Sequence, residues 1–136
     1  MSTGKMKSII FLTLLLAFPA LAHHSVNAEY DTRKELKITG VIKEIDWINP
    51  HVSWLVDVKD SNGNVTTWKV SNVAPSEWRA TGVTRKDAGK VGDTVTAEGW
   101  LARDIANRLY GKKMTFGDGH TIIVEGSYYR TDPNSN

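Results

Sequence analysis

The sequence contains no cysteine. That excludes a disulfide scaffold, a thiolate zinc site, an iron–sulfur cluster and a cysteine nucleophile. No phosphate-binding loop or dinucleotide glycine pattern occurs. Ser25, Ser53, Ser71 and Ser76 lack a nucleophile-elbow sequence, and no Ser-His-Asp set is recognisable by spacing. There is no internal repeat and no low-complexity tract. No apolar run reaches the about 20 residues that a membrane-spanning helix needs. What remains is ordinary globular material, with 40% hydrophobic and 24% charged residues in a 136-residue chain. That excludes wholesale disorder and a coiled coil, and it suits one domain.

The start of the chain reads as a secretory signal peptide over residues 1–22. Lys5 and Lys7 supply the positive start, and Ser8 to Phe18 is uncharged and mostly apolar. Pro19 breaks the run before Ala20-Leu21-Ala22, a small-x-small cleavage pattern. Cleavage after Ala22 removes two lysines and no acid, leaving 114 residues with 15 basic and 15 acidic side chains. A neutral mature domain gives no electrostatic reason to expect nucleic acid or an anionic membrane as partner. The expected destination is the periplasm, and the expected partner an unknown periplasmic protein or small ligand. A cut after Ala28 is the competing site.

Residues 23–34 are polar and read as an irregular segment. From Leu36 the pattern is short strands and turns. Leu36, Ile38, Val41, Ile42, Ile45 and Trp47 form a long run in which Gly40 predicts a bulge or sharp bend. Asn49-Pro50 ends it. Val52, Trp54, Val56 and Val58 alternate as a half-buried strand. Asp60 to Asn64 is a hairpin turn around Asn-Gly, and Thr66, Trp68 and Val70 line one face of the returning strand. Pro75 to Gly82 reads as a two-turn helix. Lys90 to Leu101 predicts a strand entered by a Gly92-Asp93 turn. Arg103 to Asn107 is a loop, Arg108 to Phe116 a strand and His120 to Val124 a last strand. Residues 127–136 read as a polar tail. A long bent first strand and a helix between the third and fourth strands predict a mainly β, five-stranded OB-like barrel over residues 35–126. Val56, Trp68, Val95 and Val124 are expected inside. A small β-sandwich is the alternative, but it does not need the helix.

Four histidines, at 23, 24, 51 and 120, carry the chemical clue. Cleavage after Ala22 makes His23 the first residue. Its α-amine and Nδ1 then chelate a metal in one ring, and a second imidazole completes a three-nitrogen set suited to Cu(II). His51, at a strand start after Asn49-Pro50, is the leading candidate for that imidazole, with His24 and His120 behind it. The competing reading gives solvated histidines at 23 and 24, a turn histidine bonded to backbone at 51 and a hairpin residue at 120. Trp54 and Trp68 are expected in the core. Trp47 and Trp100 are candidates for a stacking platform for bases or sugars, with core packing as the alternative. Asp46, Asp57 and Asp60 read as solvated carboxylates.

Several segments resemble a family of small exported bacterial proteins of unknown function. They are Ala22-His23-His24-Ser25, Thr39-Gly40-Val41-Ile42, Trp47-Ile48-Asn49-Pro50-His51, Asp57-Val58-Lys59-Asp60 and Gly92 to Gly99. The resemblance covers Ala22 to about Gly126 and implies an exported, OB-like domain. It lends no activity, ligand or catalytic residue. The family's aromatic residue after His-His-Ser is Val26 here. The expected function is a periplasmic binding or accessory protein rather than an enzyme, with any enzymatic activity left open and copper held by the amino-terminal histidine. A metal-free partner- or saccharide-binding module is the alternative.

Overall fold

A single helical turn, α1 (Val26–Glu29), leads without a break into β1 (Tyr30–Asp46), a strand of 17 residues. The computed structural model describes residues 26–125 and 128–131, those from 124 onward as backbone only. The strand therefore begins inside the segment that its polarity marks as irregular. The cause is local charge pairing. Asp31, almost fully buried, accepts from the Arg33 backbone N–H at 3.2 Å and the Arg33 Nε at 3.0 Å, and lies 3.9 Å from the Arg103 guanidinium. Hydrophobic alternation cannot report a strand end fixed by ion pairs.

The hairpin β2 (Ser53–Lys59) and β3 (Val65–Ser71) follows, in register from Ser53↔Ser71 to Lys59↔Val65. Next come α2 (Pro75–Ala80), a 3₁₀ helix (Arg85–Ala88), β4 (Thr94–Ala102), β5 (Arg108–Phe116), β6 (Thr121–Glu125) and β7 (Tyr128–Thr131). All seven strands form one sheet in the order β3-β2-β1-β4-β5-β6-β7, with six antiparallel pairings. A parallel pairing of β3 with β5, from Lys69↔Arg108 to Ser71↔Tyr110, joins the two sides. Five strands thus close in a ring, β1-β2-β3-β5-β4, with α2 between the third and fourth. The mainly β expectation holds, with a five-strand circuit and the helix in the expected place, but the sheet has seven strands, and there is no second sheet for a sandwich among the described residues. Residues 128–131, expected in the polar tail, extend the sheet by pairing with β6.

Gly40 acts differently from its predicted role. The register slip lies between Ile42 and Glu44, where Lys43 is the extra residue. Gly40 marks the place where β1 changes partner from β4 to β2. A Cβ there would sit 2.4 Å from the Asp57 carbonyl oxygen, so the strands could not approach.

The ring encloses Trp54, Val56, Val70, Val95, Leu109 and Met114, all buried. Trp68, expected inside, is only half-buried and packs on the core from its rim. It lies opposite Val56 in the hairpin, two pairs nearer the solvated turn than Trp54–Val70. Val124's side chain lies outside the described residues. Trp78 of α2 is fully buried, and Trp47 stacks on it with ring centres 6.4 Å apart. Helix α2 stops at Ala80, two residues short of the predicted Gly82, because Thr81 already donates through N–H and Oγ to the Trp78 carbonyl. The 3₁₀ helix went unpredicted. Thr84 and Asp87 cap it through side-chain bonds, and Trp54 Nε1 donates to the Ala88 carbonyl at 2.9 Å. A buried indole N–H without that acceptor would cost about 1–3 kcal/mol.

Candidate functional site

The side chains with most chemistry converge where α1 meets the start of β5. Arg103, on the β4–β5 loop, donates from its backbone N–H to the Glu29 carbonyl and from Nε to the Asn27 carbonyl. These bonds satisfy the carbonyls that a helix end leaves open and fix the entering chain against the sheet. Arg108 then reaches back across α1. Its Nε donates to the Tyr30 hydroxyl at 3.1 Å, and its Nη2 lies 3.8 Å from a Glu29 carboxylate oxygen. Tyr30 is 4% exposed and meets Tyr110 with ring centres 5.5 Å apart.

Two concavities flank this Glu29–Tyr30–Arg108 cluster. The smaller, about 30 Å³, also has Val26, His51, Ser71 and Asn72 in its wall. That is room for a water molecule or a single ion. The other, about 260 Å³, adds Ala28, Ala102, Asp104 and Ile105 to the shared three. Ile105 is among the most exposed large apolar side chains, at 55%.

Of the expected metal ligands, His51 stands in the smaller cavity, exposed, with no hydrogen-bond partner among the described residues. The expectation of a turn histidine bonded to backbone is therefore not met. His23 and His24 lie outside the described residues. Val26, three residues after His23, packs against the core and lines the same cavity as His51.

His120 is engaged by protein groups on both ring nitrogens. Its ring stacks on Phe116 at 4.3 Å, Nδ1 lies 2.5 Å from Asp118 Oδ1, and Nε2 lies 2.8 Å from the Asp87 carbonyl oxygen. Two acceptors facing two ring nitrogens are both satisfied only by imidazolium, which has no lone pair for a metal. Partial burial pulls its pKa down, but the Asp87 carbonyl and the Asp118 carboxylate outweigh that and raise it above the ordinary value. Among the described residues no three His, Asp or Glu side chains gather as a metal site.

The tryptophan platform does not assemble. Trp47 is committed to Trp78, and Trp100 stacks on Tyr110 at 5.8 Å with Lys112 Nζ 4.9 Å from its ring centre. Glu35 binds both Trp100 Nε1 and Lys112, and Lys112 chiefly lowers the Glu35 pKa. These are cross-strand packing pairs. Asp60 and Asp57 are not merely solvated. Asp60 accepts from the backbone N–H groups of Asn62 and Asn64 to shape the hairpin turn, and Asp57 accepts from Thr67 Oγ1. Ser71 shares the cavity with His51, and no hydrogen bond joins the two. Sequence reasoning missed Glu29, Tyr30 and Arg108. The nearest signal was Tyr30 as the one large apolar group of a polar segment.

Fold and site together define a small, mainly β, ring-closed domain with paired concavities where its entering chain docks. A family profile matches residues 12–109, and the chain belongs to that family, DUF6152, a family of unknown function. Comparison with curated proteins finds no match.

Proposed function

We propose that this protein is exported, is processed after Ala22 and serves in the periplasm as a binding or accessory protein that holds one Cu(II) ion. The α-amine and Nδ1 of His23 form the chelate, and His51 supplies the third nitrogen. One observation carries this reading: His51, with no partner among the described residues, shares an ion-sized cavity with Val26. In this reading the three chain steps from Val26 back to His23, at most about 11 Å, would carry the chelate to His51. The docking of α1 favours the Ala22 cut, since a cut after Ala28 would discard Val26 and Asn27, both tied to the domain.

Mass spectrometry of the exported protein, followed by Cu(II) titration, tests this. The chain should begin at His23 and take up one ion with a nitrogen-rich paramagnetic spectrum. One extra residue before His23 should abolish that spectrum, and His51→Ala should weaken binding while the fold persists. Superimposable titrations of His51→Ala and the parent protein would reject a folded site. The 260 Å³ concavity beside Tyr30, Ile105 and Arg108 favours a metal-free, small-ligand module as the second reading, and that outcome would promote it.

A further inference from the structure

The larger concavity, about 260 Å³, has three groups of unspent chemistry in its wall. The first is Arg108. Its Nε is committed to the Tyr30 hydroxyl, and its guanidinium carbon lies 5.9 Å from the Tyr30 ring centre. Its Nη groups donate to no described residue, since the Glu29 carboxylate oxygen is 3.8 Å from Nη2, beyond hydrogen-bond distance. The second is Asp104, exposed on the β4–β5 loop and without a hydrogen bond or ion pair to any described residue. The third is Ile105, an apolar side chain more than half exposed beside it. The loop that carries Asp104 and Ile105 is pinned at both ends. The Arg103 N–H donates to the Glu29 carbonyl at 2.9 Å, and the Asn107 carbonyl accepts from the Lys69 N–H at 2.9 Å. This wall is set before anything binds, which spares the cost of ordering a loose loop.

Charge narrows the class of ligand. A simple anion would meet Arg108 but also the Glu29 and Asp104 carboxylates. A simple cation would meet the carboxylates but also a guanidinium that does not lose its charge. A molecule with both signs satisfies the whole wall. Arg108 and Glu29 set opposite charges 3.8 Å apart, on the scale of an α-amino acid, whose two charged groups share one carbon. The volume corresponds to about nine water molecules at liquid density, the size of one free amino acid. We propose that this concavity binds one free α-amino acid with an apolar side chain. Arg108 takes the carboxylate on its two Nη groups. Asp104 takes the ammonium, with the Glu29 charge adding attraction, and Ile105, Ala28 and Ala102 cover the side chain. The assignment deepens the second reading above, that the concavity is a small-ligand site, and it does not depend on copper.

The test uses the protein as the cell makes it, stripped of metal by a chelator, and titration calorimetry with three compounds that share one branched chain. Leucine carries both charges, isocaproate lacks the ammonium and isoamylamine lacks the carboxylate. Leucine should bind roughly tenfold or more tightly than either, the cost of losing a charge-assisted contact. Asp104→Asn should bring leucine towards the level of isocaproate, and Arg108→Gln should bring it towards the level of isoamylamine. Loosening the fold does not produce a preference that collapses on one side only, and melting curves of both variants serve as the control. If isocaproate or isoamylamine binds as tightly as leucine, the amino-acid assignment is wrong and a ligand site for one sign of charge stands. If leucine is preferred but both variants match the parent, the ligand sits elsewhere and the assignment is equally wrong. If none of the three binds, the small-ligand reading of the concavity falls as well.

Discussion

Arg108 and Tyr30 are joined twice, by an Nε–H donated to the phenolic oxygen at 3.1 Å and by a guanidinium carbon 5.9 Å from the ring centre. The two residues lie 78 positions apart in sequence, on the first and fifth strands. The contact ties the entering chain to the strand that closes the ring. Tyr30→Phe keeps the buried ring and removes only the hydroxyl acceptor. It should cost about 1 kcal/mol, the ordinary net worth of such a bond, seen as a lowered urea midpoint with an unchanged slope. A midpoint identical to the parent's would show that water replaces the hydroxyl at no cost.

His120 makes stability depend on pH near neutrality. Its folded pKa stands above the ordinary value, so folding favours the protonated form. The stabilisation is fully present below about pH 6.5, the unfolded value, and is lost as pH rises through the folded pKa. His120→Gln should flatten the dependence of the melting temperature on pH between about 6 and 8. A parent protein with a flat profile over that range would contradict the imidazolium clamp.

Asp31 works at the acid end. The Arg33 side chain first, then the Arg33 backbone N–H, hold its pKa at about 2, against 3.8 ordinarily. Its contribution is complete above the unfolded value and disappears as pH falls through 3.8 towards 2. Asp31→Asn should leave a shallower acid limb in a urea-midpoint series between about pH 5 and 2. The substitution should also expose the amides of residues 30–34 to faster hydrogen exchange.

Gly99 separates close approach from ordinary strand preference. The β4–β5 register slips between Glu98 and Gly99, and a Cβ on Gly99 would lie 1.7 Å from the Tyr110 carbonyl oxygen. Gly99→Ala cannot be accommodated without parting two ring strands, and its cost should exceed about 4 kcal/mol. Gly119 instead has a positive φ of 91° and nothing within 4 Å, so Gly119→Ala should cost only about 1–2 kcal/mol. Paired chemical denaturation of the two variants measures the contrast, and equal losses would count against it.

Local rules made much of the fold legible. Alternation placed β2 and the inward phase of β4, Asn62-Gly63 placed the hairpin, and Pro75 placed α2, because each of these depends on residues a few positions apart. The same rules left β1 too short and Gly40 in the wrong role. The start of β1 is fixed by Asp31 with Arg33 and by Arg103, 72 positions away from Asp31. The role of Gly40 is fixed by the Asp57 carbonyl on the neighbouring strand. The candidate site divides along the same line. Sequence by itself determined the absence of thiol chemistry, the four histidines and the position of His51 after Asn49-Pro50. Only the tertiary structure decided that both His120 nitrogens are spent on acceptors, that Trp47 and Trp100 pack on different partners, and that Glu29, Tyr30 and Arg108 line one cavity with His51. Those outcomes depend on contacts between elements far apart in the chain, such as the β3–β5 pairing that brings Ser71 beside Tyr110, and such a pairing leaves no periodic trace in either strand.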